Sequence, residues 1–184
     1  MDTALGLYEM NTRLSESFYT PLQSVEICLR NCIHEQMVAR YGGDWYRNGQ
    51  VPLGDIARSM ISDVVGQLIM SGKDVFPGQV VAELKFAFWV GLLGPRYDAT
   101  LWRTVLHRAF RVEGGRPRSV VHGRFNAIRR FRNRVAHHEP IFDRPLVQLH
   151  SEIIEAIRWM SRETANWAAY HSRFEHVLAT SGLG

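Results

Sequence analysis

The ten residues from Phe131 to Pro140, FRNRVAHHEP, place a guanidinium and an imidazole close together in the sequence. Arg132 offers a planar fork of N–H donors that suits a phosphate. His137 can take or give a proton near neutral pH, because the reference pKa of histidine is about 6.5. On a regular helix a spacing of five places the two side chains about 140° apart. Pro140 forbids continuation of a helix, so a fraying last turn would let both side chains face one cleft.

Metal-free cleavage of RNA is the chemistry that suits these groups. Every RNA phosphate lies next to a 2′-hydroxyl that can act as the nucleophile. A histidine would serve as general base or acid, and an arginine would stabilise the pentacoordinate phosphorane. His137 is the preferred acid–base group, with His138 as the alternative or as a helper that contacts the phosphate. Asn133 is expected to hydrogen-bond the phosphate or to orient the histidine.

An arginine separated from a following histidine by four to six intervening residues is a common arrangement in this chain. It recurs at Arg116/His122, Arg130/His137 and Arg144/His150. The pair at Arg132 differs in its context, because Asn133 follows the arginine and Pro140 ends the helix. The alternative is a solvated helix end whose histidines are satisfied by backbone carbonyls, and Glu139 would then be solvated instead of orienting a histidine.

Positive charge is concentrated in the stretch that ends at this motif. The chain has twenty Arg and two Lys, and residues 96–134 hold eleven Arg against two acids, a net +9. The rest of the chain carries −5. Such a stretch is typical of a polyanion-binding surface, unless it pairs with the acidic remainder. Contacts to the RNA backbone are expected from four arginines, with a solvated face as the alternative: Arg124, Arg129, Arg130 and Arg134.

Several classes of protein fit the composition poorly. The 184 residues suggest one domain over 1–184, and the longest apolar run, 86–94, is too short for a membrane span. Cys28 and Cys32 lie four apart, which favours a reduced, cytoplasmic setting over a disulfide framework. The adjacent histidines lack helical ligand spacing, and no CxxC or HExxH motif occurs, so we expect no metal and no other cofactor.

A polar stripe on the second predicted helix could support the motif. Glu26, Arg30 and His34 recur at intervals of four, with Asn31 as a near neighbour. Apolar residues flank the stripe, so it should not be fully exposed. One interpretation is that Glu26 or Asn31 fixes the catalytic side chains, and the other is an ion pair that only stabilises the bundle.

Apolar residues recur at intervals of three and four almost throughout, which predicts an all-α helical bundle. The tryptophans are expected in the core or in a dimer interface, with base stacking by Trp45 as a remote alternative. Ser119 is expected to cap the helix that carries the motif. The predicted helices cover about 4–19, 21–42, 55–70, 80–94, 97–110 and 119–137, with one or two more over 144–182 and a turn at 76–79.

The motif and two further blocks resemble the Abi-like (abortive infection) proteins of the HEPN superfamily. The superfamily motif is an arginine, usually followed by a polar residue, then a histidine after four to six intervening positions, as in Arg132, Asn133 and His137. The segments SESFYTPLQSVEICLRNCIHEQMVARYGGDWY and LKFAFWVGLLGPRYDATLW are similar to the N-terminal helix pair and the middle block of that family. The resemblance spans roughly residues 14–159.

The resemblance implies a HEPN-like bundle that forms a homodimer, with two motif copies facing one cleft. Active members are metal-independent endoribonucleases, often toxins or antiphage effectors, that leave 2′,3′-cyclic phosphate and 5′-hydroxyl ends. It also implies an antitoxin or another defence-system partner. Some members have lost activity, so a non-catalytic RNA- or protein-binding helical module is the alternative, as is a subunit that docks a partner through apolar helices.

Overall fold

The computed structural model describes residues 2–112 and 114–181, and every regular element in these two ranges is helical. The prediction of an all-α fold is therefore confirmed. Glu113 and Gly182, which the sequence placed in a loop and at the end of a closing helix, lie outside the described residues. The α-helices are α1 (Asp2–Ser17), α2 (Tyr19–Tyr41), α3 (Asp55–Met70), α4 (Pro77–Glu83), α5 (Phe86–Leu92), α6 (Arg118–Ala136), α7 (Leu146–Arg158), α8 (Arg162–His171) and α9 (Phe174–Thr180).

The predicted apolar helix over 80–94 is wrong, because the chain forms two short helices there. Leu84 and Lys85 are extended, with ψ of 120° and 155°, and they separate α4 from α5. The indole N–H of Trp89 donates to the Leu84 carbonyl at 3.1 Å, which satisfies a carbonyl that an unbroken helix would have used. α4 also begins at Pro77, where the sequence had suggested a turn.

The predicted amphipathic helix over 97–110 is also wrong. After Pro95 the chain makes 3₁₀ turns at Pro95–Tyr97 and Leu106–Ala109, with a π-helical turn at Asp98–Trp102 between them. The Asp98 carboxylate binds both Arg103 and Arg118, which pins this segment from two sides. Side-chain contacts of this kind override a local helical period.

Helix ends elsewhere follow local capping. α6 begins at Arg118, so Ser119 lies inside the helix and does not cap it, contrary to the prediction. The described part of the predicted 144–182 region, residues 144–181, holds three helices, not one or two. Ser161 accepts from the Thr164 N–H at 3.1 Å and so starts α8, and Ser172 separates α8 from α9.

The chain divides into two compact units. Unit 1 comprises 1–28 and 124–184, and unit 2 comprises 29–123. Unit 1 therefore contains α1, the first part of α2, most of α6, and α7 to α9. α9 packs on α1 and α8 packs on α7.

Aromatic rings fill the centre of unit 1. Phe18, in the single-residue break between α1 and α2, lies 4.8 Å from the Phe131 ring and 4.9 Å from the Phe174 ring. All three side chains are buried. Because Phe131 faces this core, the next residue on α6, Arg132, is directed toward the edge of the unit.

The core of unit 2 is built around Trp45, Phe88 and Trp89, with ring centroids 5.0–6.4 Å apart. Trp45 is buried, so the remote alternative of base stacking by this residue is wrong. Trp167, in unit 1, is 55% exposed and is not a core residue. Across the described part of the chain, no helix is long and apolar enough to span a membrane.

Candidate functional site

The end of α6 is a closed helix terminus that does not fray. The His138 N–H donates to the Val135 carbonyl, and the Glu139 N–H donates to the Arg134 carbonyl at 2.9 Å. These two hydrogen bonds form a Schellman motif. Its central residue is His138, which has φ of 56°, a left-handed conformation usually left to glycine. The backbone therefore reverses direction immediately after His137.

Arg134 closes the same turn from its outer side. Its guanidinium donates to the Pro140 carbonyl at 2.7 Å and pairs with the Glu139 carboxylate at 3.2 Å. Glu139 thus forms an ion pair with Arg134. The two roles considered from the sequence were orientation of a histidine and simple solvation. Two of the Arg134 nitrogens are committed to the chain itself, which leaves this arginine poorly placed to bind a phosphate.

Asn11, on α1, holds the turn from its inner side. Its amide oxygen accepts from the Ile141 N–H at 2.7 Å, and its amide nitrogen donates to the Glu139 carbonyl at 3.4 Å. Asn11 is only 8% exposed and Ile141 is fully buried. Most buried polar side chains have hydrogen-bond partners, and both ends of the Asn11 amide have one here. The role of Asn11 is not predictable from the sequence, because nothing near it indicates a partner 130 positions away.

Arg132 forms an ion pair with Glu26, which lies in the same unit. The Arg132 Nε and a Glu26 carboxylate oxygen are 3.4 Å apart, with side-chain exposures of 41% and 28%. The ion pair joins α6 to the first part of α2. It holds the guanidinium at the edge of the unit while part of the guanidinium stays open to solvent.

His137 and His138 are both exposed. Within the described residues, neither imidazole makes a hydrogen bond or an ion pair. The His137 N–H donates to the Asn133 carbonyl at 2.9 Å, so the backbone of His137 is fixed while its ring is unengaged. Asn133 itself is half-buried one position after Arg132.

The other predicted supporting residues lie in unit 2. Arg30 donates to the Asn31 side chain at 3.2 Å, next to it in the sequence. The Trp45 indole N–H donates to Nδ1 of His34 at 3.0 Å. Burial lowers the pKa of His34, and Arg30 lowers it further, against the opposing effect of Glu35. In this structure His34 anchors the loop that follows α2.

The predicted RNA-binding arginines differ in how far their charges are committed. Arg124 pairs with Glu155 at 3.0 Å, lies 3.9 Å from a Glu152 carboxylate oxygen, and stacks over the Trp159 ring. Arg129 donates to the Asn126 side chain. Arg130 is exposed and has no polar partner among the described residues. The basic stretch is thus partly neutralised by the acidic remainder of the chain.

The cavities described in unit 1 do not coincide with this site. One is lined by residues between Gly6 and Arg13 and between Val177 and Ser181. Another is lined by residues from Phe142 to Glu152 together with Leu178. Arg132 and His137 line neither of these two cavities, and solvent reaches both side chains, since the Arg132 side chain is 41% exposed and His137 is exposed.

Neither a metal cluster nor a similar protein assigns a function to these residues. No group of three or more His, Cys, Asp or Glu within residues 2–112 and 114–181 could hold a metal ion. Comparisons of the chain with protein-family models, with curated proteins and with solved structures find no match. The geometry at the end of α6 is therefore what bears on function.

Proposed function

We propose that this chain is a metal-independent endoribonuclease with a HEPN-like fold, which acts in the cytoplasm as a toxin or antiphage effector. The observation that carries the proposal is the end of α6. There, a guanidinium paired with Glu26 lies near the end of α6, and two imidazoles with no polar partner among the described residues follow on the turn that closes this helix. The order Arg132, Asn133, His137 supports the assignment to the HEPN superfamily.

In the proposed reaction, the imidazole of His137 removes the proton from the 2′-hydroxyl of a bound ribonucleotide. The 2′-oxygen attacks the adjacent phosphorus, and Arg132 stabilises the additional negative charge on the phosphorane. The bond from phosphorus to the 5′-oxygen then breaks, and that oxygen takes a proton from an imidazolium. The products are a 2′,3′-cyclic phosphate and a 5′-hydroxyl, with no redox change.

Glu26 is given a positioning role in this scheme. One of its carboxylate oxygens lies 3.4 Å from Nε of Arg132, and a guanidinium has five N–H donors, so it can bind a phosphate while it is paired. The same contact reduces the net charge near the site. Glu26 therefore favours a defined orientation of Arg132 and weakens the electrostatic attraction of the site for RNA.

The open position of Arg132 and His137 favours a homodimer as the active form. A single open surface excludes water poorly, and catalysis by charge stabilisation is strongest where water is excluded. A second copy placing its own α6 terminus opposite the first would create the missing cleft. An antitoxin could then act by separating the copies or by covering the cleft.

A non-catalytic RNA- or protein-binding module is the second candidate. It is favoured by the pairing of several basic-stretch arginines with carboxylates: Arg103, Arg118, Arg124, Arg132 and Arg134. Each of these pairs has a structural explanation without chemistry.

Cleavage of labelled single-stranded RNA in EDTA separates the two candidates. The parent protein should release fragments with cyclic-phosphate ends, and His137→Ala should slow this by about 10²–10⁴-fold. Arg103→Ala is the matched control, because Arg103 pairs with Asp98 outside unit 1. Cleavage by His137→Ala at the parent rate would remove this mechanism, and RNA binding without cleavage by the parent would favour the module.

A further inference from the structure

Unit 2 contains an apolar cavity that the proposed ribonuclease does not use. Its volume is about 300 Å³, and it lies between α3, α5 and the turn that follows α5. It is formed largely by the block that resembles the middle of the Abi-like proteins. The motif on α6 supplies no part of its lining.

The walls of this cavity are aliphatic and aromatic. Ile56 and Met60 line it from α3, and Phe88 and Leu92 line it from α5. Ile56 is 79% exposed, so most of its apolar surface is open to contact with a bound apolar group. Gly91 keeps one wall open, because a Cβ there would meet no atom within 4 Å.

One cation, Arg96, lines the otherwise apolar cavity. Its guanidinium lies directly over Gly54, where an added Cβ would be 2.6 Å from Cζ. Within the described residues, no carboxylate or carbonyl pairs with Arg96. The neighbouring acid, Asp98, is already bound by Arg103 through one oxygen and by Arg118 through the other.

An uncompensated arginine beside an apolar cavity matches the usual composition of a small-molecule site, with many apolar walls and few polar groups that fix orientation. Guanidinium groups prefer carboxylates and phosphates. The volume is sufficient for a short alkyl chain or an aromatic ring system, since a dry cavity of about 150 Å³ holds benzene.

We infer that this cavity binds a small amphipathic anion, with its apolar body between α3 and α5 and its acidic head group on Arg96. A medium-chain carboxylate has this chemistry. The inference does not depend on the ribonuclease proposal, and binding can be measured without RNA.

The test is titration of the full chain with octanoate and, separately, with 1-octanol, followed by amide NMR shifts and calorimetry. Octanoate should bind at least about tenfold more tightly than octanol. Arg96→Gln should reduce that preference to within about twofold while leaving octanol affinity unchanged.

Filling the cavity tests its location. Gly91→Leu should abolish binding of both probes, because the new side chain would occupy the space in front of Gly91. The matched control is Gly66→Leu, another helical glycine with nothing within 4 Å of an added Cβ and no place in the cavity lining. Ala87→Leu, which fills the cavity from another point on α5, serves if Gly91→Leu does not fold.

Three outcomes would overturn the inference. The first is the absence of binding by the parent at millimolar octanoate. The second is equal affinity for octanoate and octanol, which would leave Arg96 without a role. The third is binding by Gly91→Leu and Ala87→Leu at the parent level.

Discussion

Asn11 and Ile141 are joined by a hydrogen bond of 2.7 Å, although 130 positions separate them in the chain. The same amide reaches the Glu139 carbonyl. The backbone that follows His137 and His138 is therefore fixed by a residue on a different helix. In unit 1 this contact joins α1 to the turn after α6, so the backbone that follows the two exposed histidines is anchored to the core at Ile141.

The hydrogen bonds from Asn11 to Ile141 and Glu139 act as a clamp on the turn after α6. Removing this clamp should loosen the turn more than it destabilises the rest of unit 1. Asn11→Ala would leave the buried Ile141 N–H without its partner, at a cost of about 1–3 kcal/mol in the free energy of unfolding. Asn11→Asp keeps the acceptor for Ile141 and should recover part of that loss. Urea unfolding measures the stability, and NMR signals of the His137 and His138 rings report the turn without RNA.

The control for the clamp is Asn126→Ala, which removes only an acceptor for Arg129. We expect it to change stability by less than about 0.5 kcal/mol. If Asn11→Ala unfolds at the parent urea concentration and leaves both histidine signals unmoved, the clamp has no positioning role. If RNA cleavage is absent in the parent, the ribonuclease proposal fails while the clamp is still tested by the NMR signals.

His138→Gly should stabilise the protein. A non-glycine residue in the left-handed conformation costs about 1–2 kcal/mol, and part of this gain is offset by the greater freedom of glycine when unfolded. We expect the free energy of unfolding of His138→Gly to rise by up to about 1 kcal/mol, measured by thermal or urea unfolding. If His137 is the acid–base group, the more stable variant should still cleave RNA.

The matched change is His137→Gly, at a position with no positive φ. It should destabilise the helix end and lose cleavage. Equal stability of the two variants would contradict the helix-end geometry, and loss of cleavage only in His138→Gly would transfer the acid–base role to His138.

The sequence predicted the helical class and α3 correctly, because these depend on apolar periodicity and on the stop at Ser71 and Gly72, where Gly72 takes a φ of 67°. It did not predict the break at Leu84–Lys85 or the turns at 95–109. In both places a distant or local polar contact, such as Trp89 to Leu84 or Arg118 to Asp98, replaces helical hydrogen bonds. Propensity alone cannot anticipate such contacts.

For the candidate site, the sequence identified the motif residues and placed Glu26 on a supporting stripe. It could not show that Glu26 pairs with Arg132 while His34 receives the Trp45 indole. It also predicted a fraying helix end, whereas the turn is closed by Arg134 and Asn11. Long-range pairing of single polar side chains leaves no periodic trace in a sequence.

Variants of Arg132 and Glu26 should separate two effects in the proposed reaction. One is the positive charge that stabilises the phosphorane, and the other is the orientation of the guanidinium that carries it. Arg132→Ala should lower the cleavage rate about 10²–10³-fold, as expected for loss of a group that stabilises transition-state charge. Glu26→Gln should preserve RNA affinity or raise it, because a negative charge is lost, while lowering the single-turnover rate. A rate for Glu26→Gln equal to that of the parent would make the ion pair merely structural.

Stability should fall in mildly acidic solution because of His34 and His150. Burial lowers the pKa of each from the ordinary 6.5, so the folded protein binds fewer protons there than the unfolded chain. The contribution of these two neutral histidines to the free energy of unfolding is complete above pH 6.5 and is lost as the pH falls below 6.5. Protonation at Nδ1 of His34 would also break the Trp45 hydrogen bond.

The measurement is urea unfolding between pH 7.5 and 5.5, with His34→Gln and His150→Gln as the variants. Each variant should flatten the loss of stability over that range. His176→Gln is the control, because His176 is exposed. A parent protein that gains stability as the pH falls through this range would contradict the assignment.

The arginines of α6 should differ in what they contribute to RNA binding. Arg130 is exposed and uncommitted, so Arg130→Ala should weaken binding to single-stranded RNA and reduce the salt slope by about 0.7. Arg124 is held by Glu152, Glu155 and Trp159. Arg124→Ala should therefore lower stability by about 1–3 kcal/mol and leave the salt slope unchanged. Binding isotherms over a series of salt concentrations give both slopes, and the opposite ranking would show that Arg124 leaves its carboxylates to bind RNA.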